Sequence, residues 1–416
     1  MRRPARSFGY WLAGIVLLGL VLRAIYAYAI VGKAPLLGDA LEFHLQANYL
    51  AEGHGYIQPF VFRDTGHAVA SADKPPLFVF LEAAVSLVGG KSWQAHHLVG
   101  ILAGGGTIAI CGLIARKLAG ATVGLVAAAV AAVYPLLIAT DGSLRSESVY
   151  ALTIALVLLA ALRLRERPTA RRAALLGVAI AAAALTRGEA LLLLVLLAPF
   201  MTGWRRAGVA VAACAVVLAP WFVRCWIVFD QPVLISTNVG GLLAGANCPS
   251  TYDSSSPLFA QWDLSCLPPP RYANEARESN VLRRKGIDYA KAHAGRLPAV
   301  LAARLGRSFE LYRPRLQAAQ EAFFEGRSLR VEQAGVALYY VLVVFAVVGA
   351  VTLRRRREPW LVLLAPVALV VITTLVSYGF TRLRVAAEPS LVVLAATGLV
   401  AAAQRARSRR LVAAQG

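Results

Sequence analysis

Ten apolar runs, near residues 10–31, 95–115, 119–139, 147–163, 173–186, 188–203, 207–229, 333–353, 359–378 and 386–404, constrain this chain more than any other feature. A hydrocarbon core about 30 Å thick takes roughly 20 apolar residues of helix to cross, and inside it every backbone polar group must be satisfied by the protein itself. The chain is 58% hydrophobic and 16% charged, with a mean hydropathy of +0.62. A soluble domain carries about a quarter charged residues, so an ordinary soluble fold is excluded. The expected fold is all-α and polytopic, with about ten transmembrane helices.

The net charge of +21 comes from arginines that punctuate the apolar runs. They form no single basic face with interleaved aromatics, which argues against nucleic acid as a partner. The clusters are Arg2, Arg3, Arg6; Arg116, Lys117; Arg163, Arg165, Arg167, Arg171, Arg172; Arg205, Arg206; Arg354 to Arg357; and Arg405, Arg407, Arg409, Arg410. If all ten runs cross, every cluster falls on one side, which the positive-inside rule makes cytoplasmic. Both termini are then inside, in a plasma (inner) membrane. Counting Pro75 to Val88 as an eleventh span would throw later clusters outside, so that stretch is expected to lie in the interface as a juxtamembrane helix. By the same parity Arg187 marks a bend between two short helices. The first run has the basic start and small residues (Ala27, Ala29) of a signal peptide, but Arg23 lies inside it, and a retained helix is expected.

Three parts follow: residues 1–229 with a first outer loop at 32–94, a large extracytoplasmic loop at 230–332, and a C-terminal part, 333–416, with a basic cytoplasmic tail. The large loop contains an amphipathic stripe, Leu297, Val300, Leu301, Leu305, Phe309 and Tyr312, flanked by Arg304 and Arg307. Such a helix lies on lipid or packs on the protein's own membrane part. Of five cysteines, Cys111, Cys214 and Cys225 sit in apolar runs as inert packing residues. Cys248 and Cys266 share the outer loop and are expected to form a disulfide.

Charged residues gather at the outer helix ends. Asp39 follows the first run, where it would cap the next helix, with Glu42 and Phe43 one turn on and Gly53 and Gly55 as terminators. Lys74 precedes two prolines, which extends the chain there; a cation near headgroup level suits a phosphate. Asp141 and Glu147 flank the turn DGSLRSES. Arg382 and Arg384, spaced i to i+2, reach one cavity if their turn is extended, and guanidinium forks fit phosphate oxygens. Carboxylates and cations so placed are what transfer from a lipid phosphate requires: a base for the acceptor hydroxyl and positive charge on the departing phosphate.

These residues, in this order, resemble the GT-C superfamily of integral membrane glycosyltransferases, in the branch of protein O-mannosyltransferases and bacterial aminoarabinose transferases. The carriers are Gly38 and Asp39, the KPPL at Lys74 to Leu77, the RSES with Glu147, the LTRGE from Leu185 to Glu189, and the YGFTRLRVAAEP from Tyr378 to Pro389. The resemblance implies a polyprenyl-phosphate sugar donor, an extracytoplasmic acceptor (protein, lipid or cell-wall glycan), inversion, and Asp39 as base, with Glu147 also in the catalytic set. Lys74, Arg187, Arg382, Arg384 and Glu42 would bind substrate. Bacterial members often carry a segment like that from Ser236 to Tyr252, in which Asn238 and Gly240 would line the site; a simple turn is the alternative. Some members use a divalent cation, and adjacent His96 and His97, pointing to different helix faces, do not decide the matter. The rival class is a polytopic transporter or flippase of a lipid-linked or anionic substrate. Against it, no inverted repeat is visible and the charges crowd the outer ends rather than the midplane.

Overall fold

A computed structural model describes residues 3–32, 35–269 and 274–413. Its order begins with α1 (Arg3–Ala24), which runs into π-helical turns at Ile25–Ile30, and continues with three short helices, α2 (Asp39–Ala51), α3 (Pro59–Thr65) and α4 (Pro76–Leu87). Longer helices come next: α5 (Trp93–Ala119), α6 (Ala121–Val133), α7 (Pro135–Gly142), α8 (Glu147–Glu166), α9 (Ala170–Ala184), the single turn α10 (Leu192–Leu196) and α11 (Trp204–Phe229). The large loop folds as α12 (Val239–Ala246), α13 (Pro249–Tyr252), α14 (Glu275–Ala292), α15 (Leu297–Ser308) and α16 (Pro314–Phe324). The chain finishes with α17 (Leu329–Arg355), α18 (Ala365–Val376) and α19 (Glu388–Ala413). The described residues contain no β-strand, only one antiparallel bridge between Ile57 and Ala70.

Six helices are long and apolar enough to cross a membrane, and the pair α6 and α7, bent by 56°, makes a seventh if taken as one span. The expected count of ten is therefore not met by full-length helices. Run 173–186 is the 15-residue α9, run 188–203 is α10 between two 3-10 stretches, and run 359–378 is a 3-10 stretch followed by the 12-residue α18. Pro199, Pro359 and Pro366 interrupt these last two runs, where each removes a backbone donor. Arg187 has extended backbone (φ −151°, ψ 120°) and forms the expected bend. At 12 residues, α4 is too short to span. The first basic cluster begins at Arg2, which lies outside the described residues.

Small residues let the helices approach, as in membrane bundles generally. Ala127, Ala128, Ala131 and Ala132 of α6 are wholly buried, and a Cβ on Gly124 would stand 2.7 Å from the Gly112 carbonyl oxygen of α5. The α6–α7 break explains a charge in the bundle. Pro135 has no N–H, so Ala131 loses its usual helical donor, and the bend also parts Ala132 from its own. Arg23 supplies both: Nη2 donates to Ala131 O and Nη1 to Ala132 O, each at 3.1 Å, while Nε meets Asp141 Oδ2 at 2.7 Å. Gly104 leaves the room, since a Cβ there would come within 2.3 Å of both charged groups. Asp141 is thus a structural partner of Arg23 and not a member of the outer cluster expected from its position.

The large loop packs on the membrane part. On α15 the buried face includes Val300 and also Arg304 and Arg307, which donate to the carbonyls of Ala246 (2.6 Å) and Phe259 (2.7 Å). Those two carbonyls belong to the loop itself, but Arg304 Nη1 also donates to Leu375 O of α18 at 3.2 Å and Ser308 Oγ accepts from Phe380 N–H at 3.2 Å, so α15 packs on the membrane part of the protein. Cys248 and Cys266 are disulfide-bonded with Cα atoms 6.2 Å apart, and Cys111, Cys214 and Cys225 are free and buried.

Candidate active site

Gly38 adopts φ +54°, a left-handed conformation that suits glycine, and hands the chain directly into α2. Asp39 is consequently the first helical residue rather than the cap expected from sequence, and its carboxylate, free of the backbone, is held by three cations. Lys74 Nζ lies 3.1 Å from Oδ1, while Arg145 Nη1 and Arg382 Nη1 each lie 2.9 Å from Oδ2. The unsatisfied N–H groups at the start of α2 add favourable potential.

Each cation is fixed by its own surroundings. Lys74 sits at a bend just before the extended Pro75, not on extended chain as expected; its carbonyl accepts from Tyr56 Oη at 2.8 Å, and its Nζ also meets Glu42 Oε2 (3.1 Å) and Asp73 Oδ2 (2.9 Å). Just upstream, Glu275 of α14 accepts from Ala72 N–H (2.7 Å), Ser71 Oγ (2.8 Å), Gln58 Nε2 (2.7 Å) and Thr237 Oγ1 (2.9 Å), tying the loop at 32–94 to the large loop. Arg145, in the link between α7 and α8, pairs through Nε with Glu325 Oε2 at 2.7 Å and donates through Nη2 to Phe324 O at 2.8 Å. Arg382 donates to Tyr378 Oη from Nε and Nη2 (3.1 and 2.8 Å) and lies 3.4 Å from Glu325 Oε1. Glu147 begins α8 and holds Arg187 Nη1 at 2.7 Å, with Arg382 Nε at 3.9 Å; Arg187 also grips Glu189 at 2.7 Å.

Asp39 is 31% exposed, whereas Glu147 is 3% and Glu325 2% exposed. Of these three carboxylates, only Asp39 is open to an incoming group. Burial alone would raise its pKa, but Lys74, Arg382 and Arg145 outweigh that and hold it well below the usual carboxylate range. The same neighbours hold Lys74 well above its ordinary value against the effect of burial. Glu42 goes the other way: burial first, then Asp73 and Asp39, push it up to about 8 despite Lys74.

Arg384 is turned away. Residues 381–387 form a 3-10 helix, not an extended turn, so positions i and i+2 point about 120° apart. Its guanidinium is buried against Glu388 (2.8 Å) and lies 3.7 Å from the centre of the Tyr339 ring. Asn238 opens α12, next to Thr237, whose N–H donates to Ala72 O, and no ion pair or hydrogen bond joins Asn238 to Asp39 among the described residues. No three His, Cys, Asp or Glu side chains converge as metal ligands among the described residues. Both Asp39 oxygens face ammonium or guanidinium groups, a donor set that fits an anion rather than a divalent cation.

Residues 73–226 match the family described as dolichyl-phosphate-mannose-protein mannosyltransferase. No sequence among the curated proteins matches. Among solved structures, the oligosaccharyltransferase of Archaeoglobus fulgidus in complex with Zn and sulfate superimposes with a TM-score of 0.57 at 15% identity, over 96% of this chain and 50% of that one. The same archaeal enzyme with an inhibitory peptide and a dolichol-phosphate gives 0.53 at 13% identity, over 97% and 52%. The fold is of the GT-C type. ArnT from Cupriavidus metallidurans bound to undecaprenyl phosphate scores 0.48 at 12% identity, over 95% and 78%. The chain spans about half the length of the archaeal enzymes it matches.

Within this GT-C frame, Asp39, Glu42, Lys74, Glu147, Arg187 and Arg382 meet at one place, as residues chosen from sequence, while Arg384, Asp141 and Asn238 do not join them. Sequence reasoning missed Arg145, Glu325, Tyr378 and Asp73. Arg145 and Tyr378 lie inside RSES and YGFTR, stretches whose other charged residues drew attention. Glu325, which caps the end of α16, had a weaker signal, its i to i+4 spacing from Glu321.

Proposed function

We infer that this chain is a membrane glycosyltransferase that moves a sugar, with inversion, from a polyprenyl-phosphate donor to an extracytoplasmic acceptor, and that Asp39 is its base. The observation that carries this reading is the meeting of Lys74, Arg145 and Arg382, from three distant parts of the chain, on one partly open carboxylate. A dolichol-phosphate held by an archaeal protein of the same fold, and the description of the matched family, support the donor class.

The acceptor oxygen attacks the anomeric carbon on the face opposite the phosphate, and its proton passes to an oxygen of Asp39. The bond from that carbon to the phosphate oxygen breaks, its electron pair leaving on the phosphate, where Lys74 and Arg382 stabilise the charge. One displacement inverts the centre. A carboxylate gripped by three cations is a weak base. The donor phosphate competes for the same cations, and each one that turns toward it raises the basicity of Asp39. Glu147, nearly inaccessible, keeps Arg187 and Arg382 in place. Purified protein incubated with a panel of polyprenyl-phosphate sugars and a peptide or glycan acceptor should release lipid phosphate from at least one donor. Folded protein that releases none, or an Asp39→Asn variant that releases it as fast as the unaltered chain, refutes the reading.

A further inference from the structure

The other end of the molecule carries arginines in a different state. Helices α17 and α19 run parallel and touch at two glycines: a Cβ on Gly349 would stand 1.9 Å from Leu394 O, and one on Gly398 1.9 Å from Phe345 O. Beyond that crossing α17 ends at Arg355 while α19 runs on to Ala413, and between the last turn of α17 and residues 401–409 of α19 lies an open groove of about 470 Å³. Arg355 and Arg356 line one side, and Gln404, Arg405, Ser408 and Arg409 the other. Every cation of the Asp39 site has a carboxylate, and even the basic ends of α5 and α9 share one, with Lys117 2.5 Å and Arg172 3.9 Å from Glu166. Among the described residues, none of the four groove arginines pairs with a carboxylate, and Glu358 close by pairs with none of them. The C-terminus of α17 accounts for part of the stability of Arg355 and Arg356, because terminal carbonyls favour cations. They do not neutralise four charges.

A second feature points along the helix. Val344, Val347 and Val351 are 65%, 61% and 43% exposed. At about 100° per residue these three and Arg355 fall within roughly an 80° arc of α17, so an apolar stripe runs up to Arg355 at the rim of the groove.

We propose that this groove binds the phosphate-bearing headgroup of an anionic phospholipid, whose acyl chain lies along Val344, Val347 and Val351. The volume suits a small headgroup, the unpaired guanidiniums suit phosphate oxygens, and the stripe selects a lipid over a soluble phosphate. The site is separate from the Asp39 cluster, and its failure would leave the proposed activity untouched.

Native mass spectrometry of the full chain in detergent, titrated with cardiolipin or with phosphatidylcholine, tests this. Cardiolipin should bind at concentrations where phosphatidylcholine does not. Arg355→Gln with Arg409→Gln should weaken cardiolipin binding by about 25-fold, taking about fivefold per arginine. Arg354→Gln with Arg407→Gln removes the same charge outside the groove and should weaken it far less. Val347→Ser should weaken cardiolipin without changing binding of inorganic pyrophosphate. Equal losses in the two arginine pairs would mean diffuse charge, and pyrophosphate displacing cardiolipin at equal concentration would mean a free-anion site; either overturns the proposal. If the groove variant cannot be purified, equal binding of the two lipids by the unaltered chain, or no effect of Val347→Ser, overturns it as well.

Discussion

Asp39→Asn separates a base from a positioning carboxylate more cleanly here than the substitution usually does. Asparagine keeps the size and can accept from two of the three cations, while Asp73, Glu147 and Glu325 still neutralise Lys74, Arg145 and Arg382. The site therefore stays assembled but loses one negative charge beside the donor phosphate. If Asp39 is the base, kcat falls by about 10² to 10⁴, a barrier increase of about 2.7 to 5.4 kcal/mol. The KM for the donor stays level or falls, because the cations no longer have Asp39 to leave. If Asp39 only aims Lys74 and Arg382, the loss appears in donor KM and kcat changes little. Steady-state release of lipid phosphate, with donor varied at saturating acceptor, reads both. A kcat within tenfold of the unaltered protein, or a loss carried wholly by a raised KM, refutes the assignment.

Glu42 titrates near 8, so at neutral pH it is mostly protonated, and raising the pH places a new anion beside Lys74. Donor KM should climb above pH 8, and Glu42→Gln should abolish the climb; because the folded pKa is raised, folding stability from this group is full below its unfolded value and is lost as pH rises through about 8. Glu325→Gln sets two effects against each other: losing an anion favours donor binding, while freeing Arg145 and Arg382 misplaces both. Since Glu325 is buried and touches both guanidiniums, misplacement should win, raising donor KM about tenfold; a lowered KM in the same lipid-phosphate assay would show the opposite. Arg23→Met leaves Asp141 and two carbonyls unpaired inside the bundle and should cost about 3 to 5 kcal/mol of stability. Adding Asp141→Asn should restore part of the lost thermal midpoint, and an unchanged midpoint in the single variant would refute the role given to Arg23.

What the sequence disclosed was position along helices, because apolar runs mark helix ends and charges at those ends stand out. Asp39, Lys74, Glu147, Arg187 and Arg382 were all legible in that way. Rotation about the chain was not. Arg382 and Arg384 differ by two residues, and only the 3-10 winding of residues 381–387 sends one to Asp39 and the other to Glu388. Asp141 was misplaced for a similar reason: it stands near the end of α7, yet the break at Pro135 creates a demand for donors that Arg23 meets, and Arg23 takes Asp141 with it. Glu325 was hard to single out because its spacing from Glu321 was its one local sign, while its importance comes from long-range contacts with Arg145 and Arg382.

The same charges bear on how a phosphate enters. Four cations, Lys74, Arg145, Arg187 and Arg382, face six carboxylates, Asp39, Glu42, Asp73, Glu147, Glu189 and Glu325. With every group ionised the cluster would be net negative, and an added phosphate would be repelled. The proton on Glu42 reduces that excess at neutral pH, and the remaining attraction has to come from cations changing partners rather than from a vacant positive pocket. Buried Glu147 and Glu325 cannot release their hold without exposing a charge to a poor solvent, so among the carboxylates that hold Arg145 and Arg382 the one that yields is the partly exposed Asp39. Under the proposed function, the carboxylate set free by donor binding is then the one assigned as the base.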